Sequence, residues 1–229
     1  MQRLGDPRRL EGLKRFGIHV AQQRFGLNAP QFRALARELG KNHALALQLW
    51  DTGNTDARIL ATLVDEPTLV TEAQMERWAR DFDSWDVCDS ACCYLFDKTG
   101  IAYRKAVEWS AREEEFVKRA GFALMAYLAV HDKRAPDAAF ERFLPIIERE
   151  AGDERNFVKK AVNWALRQIG KRNSRLNRRA IAAARRIRKL HSRTARWIAS
   201  DALRELQSEA VERRLRAGGA ERRQYAKPG

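Results

Sequence analysis

Apolar residues recur at helical spacing along almost the whole chain, and no stretch alternates with period two for long enough to make a strand. Amphipathic helices of about 8–18 residues joined by short polar turns are therefore the expected inventory, because a side-chain repeat near 3.6 buries one face only on a helix. The segment from Arg8 to Arg24 carries Leu10, Leu13, Phe16, Ile18 and Val20 in this pattern. Gly26 suits its end, and Asn28-Ala29-Pro30 supplies a cap and an early proline for the next start. Phe32, Leu35, Ala36 and Leu39 share a face of that second helix, which breaks at Gly40. Residues 43–50 make a third, apolar at Leu45, Leu47, Leu49 and Trp50; residues 51–55 are a turn rich in capping side chains, and helices over 56–64 and 71–80 follow.

Helices alone leave open a bundle or a stack, and weak self-similarity bears on the choice. Arg58, Arg119, Lys160 and Arg196 each stand beside small and apolar residues in the first turns of a helix, at intervals of 61, 41 and 36 residues. The last two intervals fall near the length of a HEAT- or armadillo-type helical pair, which buries its apolar face only against its neighbours. An all-α solenoid over residues 1–207 is the leading architecture, with an irregular helical bundle as the competitor. Residues 208–229, Arg-rich with a Gly218-Gly219 pair and a terminal Pro-Gly, are expected to form a frayed basic tail.

Charge is distributed unevenly. Residues 155–200 hold fifteen Lys or Arg and no Asp or Glu, whereas the remainder has twenty-nine basic and thirty acidic residues within a net charge of +14. A segregated basic field is the footprint of a polyanion binder, although a solvated basic helix face would read the same way. On the helix beginning near Arg155, Lys160, Trp164, Arg167 and Lys171 fall within a sector of roughly 60°, opposite Val158, Val162, Ala165 and Ile169. Three outward cations around one indole suit phosphates and a base or sugar; a tryptophan covered by the next repeat is the alternative. Arg119 stands in a similar place on its own helix, where an ion pair with Glu115 competes with a ligand role. Trp109 reads as a packing anchor.

Trp85 and Asp89 lie four apart on one helix, so an indole and a carboxylate point the same way about one turn apart. The three cysteines, Cys88, Cys92 and Cys93, are on this same helix, which makes a disulfide framework implausible. The four histidines have no ligand spacing to them, so neither a metal nor a cofactor is expected. No apolar run approaches the roughly 20 residues that span a bilayer, and the first residues lack a signal-peptide core, so a cytoplasmic protein is expected.

Three motifs in order, Trp85-Asp-Val-Cys-Asp89, Phe116-Val-Lys-Arg-Ala120 and Phe157-Val-Lys-Lys-Ala-Val-Asn-Trp-Ala-Leu-Arg167, resemble the DNA alkylation repair family, the AlkD-like HEAT-repeat DNA glycosylases. Leu49-Trp50 with Asp56-Ala-Arg-Ile-Leu-Ala61 also resembles that family's early repeat, and the likeness runs from about residue 10 to 206. It implies a curved solenoid whose basic concave face cradles duplex DNA, and excision of cationic N3- or N7-alkylated purines. Carried over by motif, Asp89 is the catalytic carboxylate, Trp85 and Trp164 the aromatic pair at the lesion, and Arg119 the active-site arginine. Lys160, Arg167, Lys171, Arg172, Arg175, Arg178 and Arg179 are the expected DNA-contacting cations, and a monomer acting on alkylated duplex DNA is the expected assembly. Two departures stand out: Asp56 replaces an expected Glu, and there is room for only one helix before Phe25-Gly26-Leu27. A helical-repeat protein that binds DNA or structured RNA without chemistry, or a protein-interaction scaffold, remains open at this point.

Overall fold

The computed structural model describes residues 1–13 and 24–225, and among them all regular structure is helical, with no strand. It divides into two compact units, Met1–Ala102 and Tyr103–Gly229. In the first, α1 (Pro7–Leu13) covers the start of the first expected helix. The rest of that helix, with Phe16, Ile18 and Val20, lies outside the described residues.

Capping chemistry sets the next starts. Asn28 and Gln31 form a reciprocal capping box at the head of α2 (Ala29–Leu39), with Pro30 in its first turn, and Gly40 at φ +68° ends it. Asn42 caps α3 (His43–Asp51), Asn54 caps α4 (Thr55–Val64) and Thr71 caps α5 (Glu72–Arg80), each accepting an orphan amide of the first turn. The expected helices over 43–50, 56–64 and 71–80 are therefore present to within a residue or two. α6 (Trp85–Tyr94) follows, then a 3-10 turn over Phe96–Lys98.

α4 packs between α2 and α6, making one layer, while α3 packs across α4. α3 meets α5 through Trp50 and Trp78, stacked with ring centroids 3.9 Å apart and planes 3° from parallel. Phe82 and Phe96 close this cluster, and Trp50 and Trp78 are fully buried in it. Such a stack contributes about 0.5–1.5 kcal/mol beyond the burial of its area.

The second unit repeats the alternation. α8 (Glu115–His131), α11 (Asn156–Gly170) and α13 (Arg193–Leu206) pack side by side in one layer. α9 (Asp137–Glu141), α10 (Phe143–Glu150) and α12 (Ser174–Ile187) make the other, joined by Tyr103 of α7 (Ala102–Ser110), whose ring meets Phe140 and Phe143 at about 6 Å. Trp109 is fully buried, as a packing anchor should be. Two glycines allow the close approach of these helices. A Cβ on Gly121 of α8 would lie 2.5 Å from the backbone nitrogen of Ser110, and one on Gly170 would lie 2.6 Å from Leu206. Residues expected to fray carry α14 (Glu209–Tyr225), which packs against α12 and α13. The whole is the all-α architecture of stacked HEAT-like helical pairs anticipated from the spacing.

Candidate nucleic-acid interface

α6 is held by one face. Val87, Cys88, Ala91 and Cys92 are fully buried, while Trp85, Asp86, Asp89, Ser90, Cys93 and Tyr94 are half-buried on the other side. Trp85 and Asp89 therefore share the accessible side of the helix, one turn apart, as their spacing required. Asp86 between them is engaged by Arg24, whose guanidinium is 2.7 Å away and almost wholly buried. Burial, then a hydrogen bond with Cys88 and the nearby negative charges including Asp89, push the Cys92 thiol well up. It stays protonated at neutral pH, and with Cys88 it serves as a small apolar packing group. Ser90 and Tyr94 line a small cavity of about 160 Å³ with Ala29, Phe32, Arg33, Ile59 and Leu63.

Asp56, the departure noted in the early repeat, has a structural reason. Its Oδ2 accepts the backbone amides of Phe25, Gly26 and Leu27 at 2.8, 2.8 and 3.3 Å, tying down a turn in which Gly26 has φ +80°. Arg58, two residues on, lies over the Trp50 ring at 5.3 Å and donates to the Asp81 carbonyl at 3.2 Å. It joins α3, α4 and the end of α5, so this member of the repeated basic set is part of the scaffold.

In the second unit Arg119 is buried, and its Nη1 donates to the Phe157 carbonyl at 2.9 Å. This anchors the first turn of α11 to α8. Trp164 is half-buried and meets the Tyr127 ring edge-on at 4.8 Å, so the neighbouring helix covers part of it. Val158, Val162, Ala165 and Ile169 are fully buried, as the wheel required.

The three cations on the opposite face are not equivalent, which corrects the expectation that all point outward. Lys160 is exposed. Arg167 pairs with Glu205 of α13 and approaches Asp201 at 3.7 Å, and Lys171 reaches Glu205 at 2.5 Å. Burial tends to raise the Glu205 carboxyl, but hydrogen bonds from Lys171 and Arg167 outweigh it and hold the group below the usual carboxylate range. The acids sit just past residue 200, immediately outside the acid-free segment.

Of the remaining expected contacts, Arg172 bridges the two layers and the others lie on α12. Arg172 donates to the carbonyls of Ala129 and Ala135, both at 3.0 Å, and covers the Phe140 ring at 4.2 Å. Arg175 pairs with Glu141 at 3.0 Å, and Arg186 with Glu148 at 2.6 Å. Arg178 and Arg179 are exposed, but on α12 beside α9 and α10 rather than in the layer of α11 and α13. Physically the basic field is two surfaces, partly neutralised. Among the described residues no group of three or more His, Cys, Asp or Glu is placed to hold a metal ion, and no helix is long and apolar enough to cross a membrane.

Stacked helical pairs, with a half-buried Trp and Asp one turn apart in one unit and basic, Trp-bearing helices in the other, define a helical-repeat protein with the features of a nucleic-acid surface. The DNA alkylation repair enzyme family matches residues 1–206, and the chain belongs to that family. Among curated relatives, the uncharacterized protein Lin0241 of Listeria innocua is 25% identical over 194 residues, covering 83% of this chain and 84% of its own. Lmo0209 of Listeria monocytogenes is 24% identical over the same shares. A solved structure, described as a new family of proteins related to the HEAT-like repeat DNA glycosylases with affinity for branched DNA structures, matches with a TM-score of 0.72 at 20% identity. That match covers 89% of this chain and 91% of the other.

Proposed function

We propose that the protein binds duplex DNA and hydrolyses the N-glycosidic bond of cationic N3- or N7-alkylated purines. The observation that carries this reading is the shared accessible side of α6, where Trp85 and Asp89 stand one turn apart over a rigid, fully buried face. A purine alkylated at N3 or N7 already bears a positive charge, so it departs without a general acid. Bond cleavage builds positive charge on the deoxyribose, and the Asp89 carboxylate stabilises that charge and orients the attacking water. Trp85 offers a π-face to the cationic sugar or base, worth about 0.5–2 kcal/mol depending on desolvation. In the second unit Trp164 offers a half-buried ring of its own, and Arg119 positions α11 through the Phe157 carbonyl. Lys160 on α11 contributes to phosphate contact. The protein acts as a monomer and needs no metal or cofactor, because the leaving group is activated by its own charge.

A second reading is favoured by the affinity for branched DNA of the structural neighbour: a DNA-structure binder that performs no chemistry. Incubating the wild-type protein with methylated duplex DNA, and following free 7-methylguanine and 3-methyladenine beside binding at several salt concentrations, separates the two. Release supports the glycosylase. Salt-sensitive binding with no release removes that reading for these substrates and leaves the binder.

A further inference from the structure

In the layer of α11 and α13 the two helices run in a fixed register. Asn163 Nδ2 donates to Asp201 Oδ2 at 2.7 Å, and Arg167 pairs with Glu205, each partner 38 residues further on. The same offset brings Lys159 to Trp197, with Nζ 5.8 Å from the ring centroid. One end of this seam is thus closed by acid–base pairs, and the other carries an indole and a cation.

Trp197 is 43% exposed, unlike Trp50, Trp78 and Trp109, which are buried completely. Its neighbours are cationic: Lys160 beside Lys159 on α11, and Arg193 and Arg196 one turn and one residue before it on α13, all three exposed. The nearest acid toward the C-terminus, Asp201, is engaged by Asn163 and by Arg204. A large apolar ring is thus left partly open to water among four basic side chains. It suits a ligand that presents a π-face and negative charge together.

We infer that Trp197 with Lys159, Lys160, Arg193 and Arg196 forms a binding site for an unpaired base and its flanking phosphates in single-stranded DNA. Bases stacked within a duplex offer their edges but not their faces, so an indole gains most from a base already out of the stack. The cations meet the phosphates on either side and make binding salt-dependent. This inference rests on the proposal that DNA is the partner, but it is independent of glycosylase chemistry, because Asp89 takes no part in it.

The test compares wild type, Trp197→Ala and Trp197→Phe for binding to a fluorescein-labelled single-stranded oligothymidylate and to a blunt duplex of the same length. Trp197→Ala is expected to weaken single-strand binding by about tenfold while duplex affinity stays within about twofold, and Trp197→Phe to recover most of the loss. Because the side chain is partly buried, the thermal midpoint of each variant is measured beside binding; the duplex affinity and the Trp197→Phe variant, which keeps an aromatic ring, serve as the controls for folding. Equal losses on both DNAs, or no loss on either, would overturn the site. If wild type binds neither DNA, the underlying reading of DNA as partner fails and takes the inference with it.

Discussion

α6 in the first unit and the α11–α13 seam in the second both carry aromatic and charged side chains, but they are held in place by different forces. α6 rests on Val87, Cys88, Ala91 and Cys92, all fully buried, and on the aromatic cluster reached through the following 3-10 turn. The seam adds to its apolar packing a ladder of charges and amides: Asn163 to Asp201, and Arg167 and Lys171 to Glu205. On α6 an apolar foundation sets where the polar side chains stand. A charge inside a ladder is already answered, so counting cations overstates what the surface offers to DNA.

This contrast can be broken by mutation, and the largest effect lies in the apolar foundation. Trp78→Ala removes half of the stacked pair and should cost about 3–5 kcal/mol in chemical denaturation, with little dependence on salt. Glu205→Gln comes next. It should cost about 1–3 kcal/mol by leaving Arg167 and Lys171 without their anion, yet it should strengthen DNA binding and steepen its salt dependence, since two cations are released to phosphate. A Glu205→Gln protein whose salt slope is unchanged would mean that those cations never face the DNA.

Acid should act on the same element. Because the folded Glu205 carboxyl lies below its ordinary value near 4.3, its contribution is complete above about pH 4.3 and disappears as pH falls through the lower, folded value. The stability difference between wild type and Glu205→Gln should therefore shrink in acid, as pH-dependent denaturation would show. The smallest effects separate the two layers. Lys160→Ala should lower the slope of log affinity against log salt by about 1 without changing stability, whereas Arg175→Ala, whose partner is Glu141, should leave that slope alone.

Much of the fold was legible because its signals are local. Asn28, Asn54 and Thr71 mark helix starts by their own side chains, Gly40 marks an end by its left-handed backbone, and the buried set of Val158, Val162, Ala165 and Ile169 follows from spacing on one helix. The spacing of Trp85 and Asp89 was legible for the same reason. What depends on register between helices was not. Glu141, Glu148 and Glu205 each reach a cation 34–38 residues away in sequence, and no window of charge shows that Arg175, Arg186 and Arg167 are engaged. The repeated basic position divides likewise, into scaffold at half-buried Arg58 and buried Arg119 and exposed surface at Lys160 and Arg196. Trp197 stood in view in Ala195-Arg-Trp-Ile-Ala199, but its exposure follows only from how α13 lies against α11. A helical wheel of α13 would have found it, since Ile198, Ala199 and Ala202 take the buried side.

The central claim is that Asp89 performs chemistry while cations elsewhere perform grip. It is tested most directly by single-turnover release of 7-methylguanine and 3-methyladenine from methylated duplex DNA, with wild type beside Asp89→Asn and with DNA affinity measured on the same preparations. The expected result is a loss of release of about 100-fold or more in the variant, with affinity kept or slightly increased by removal of a negative charge. Equal release from both proteins would contradict the claim.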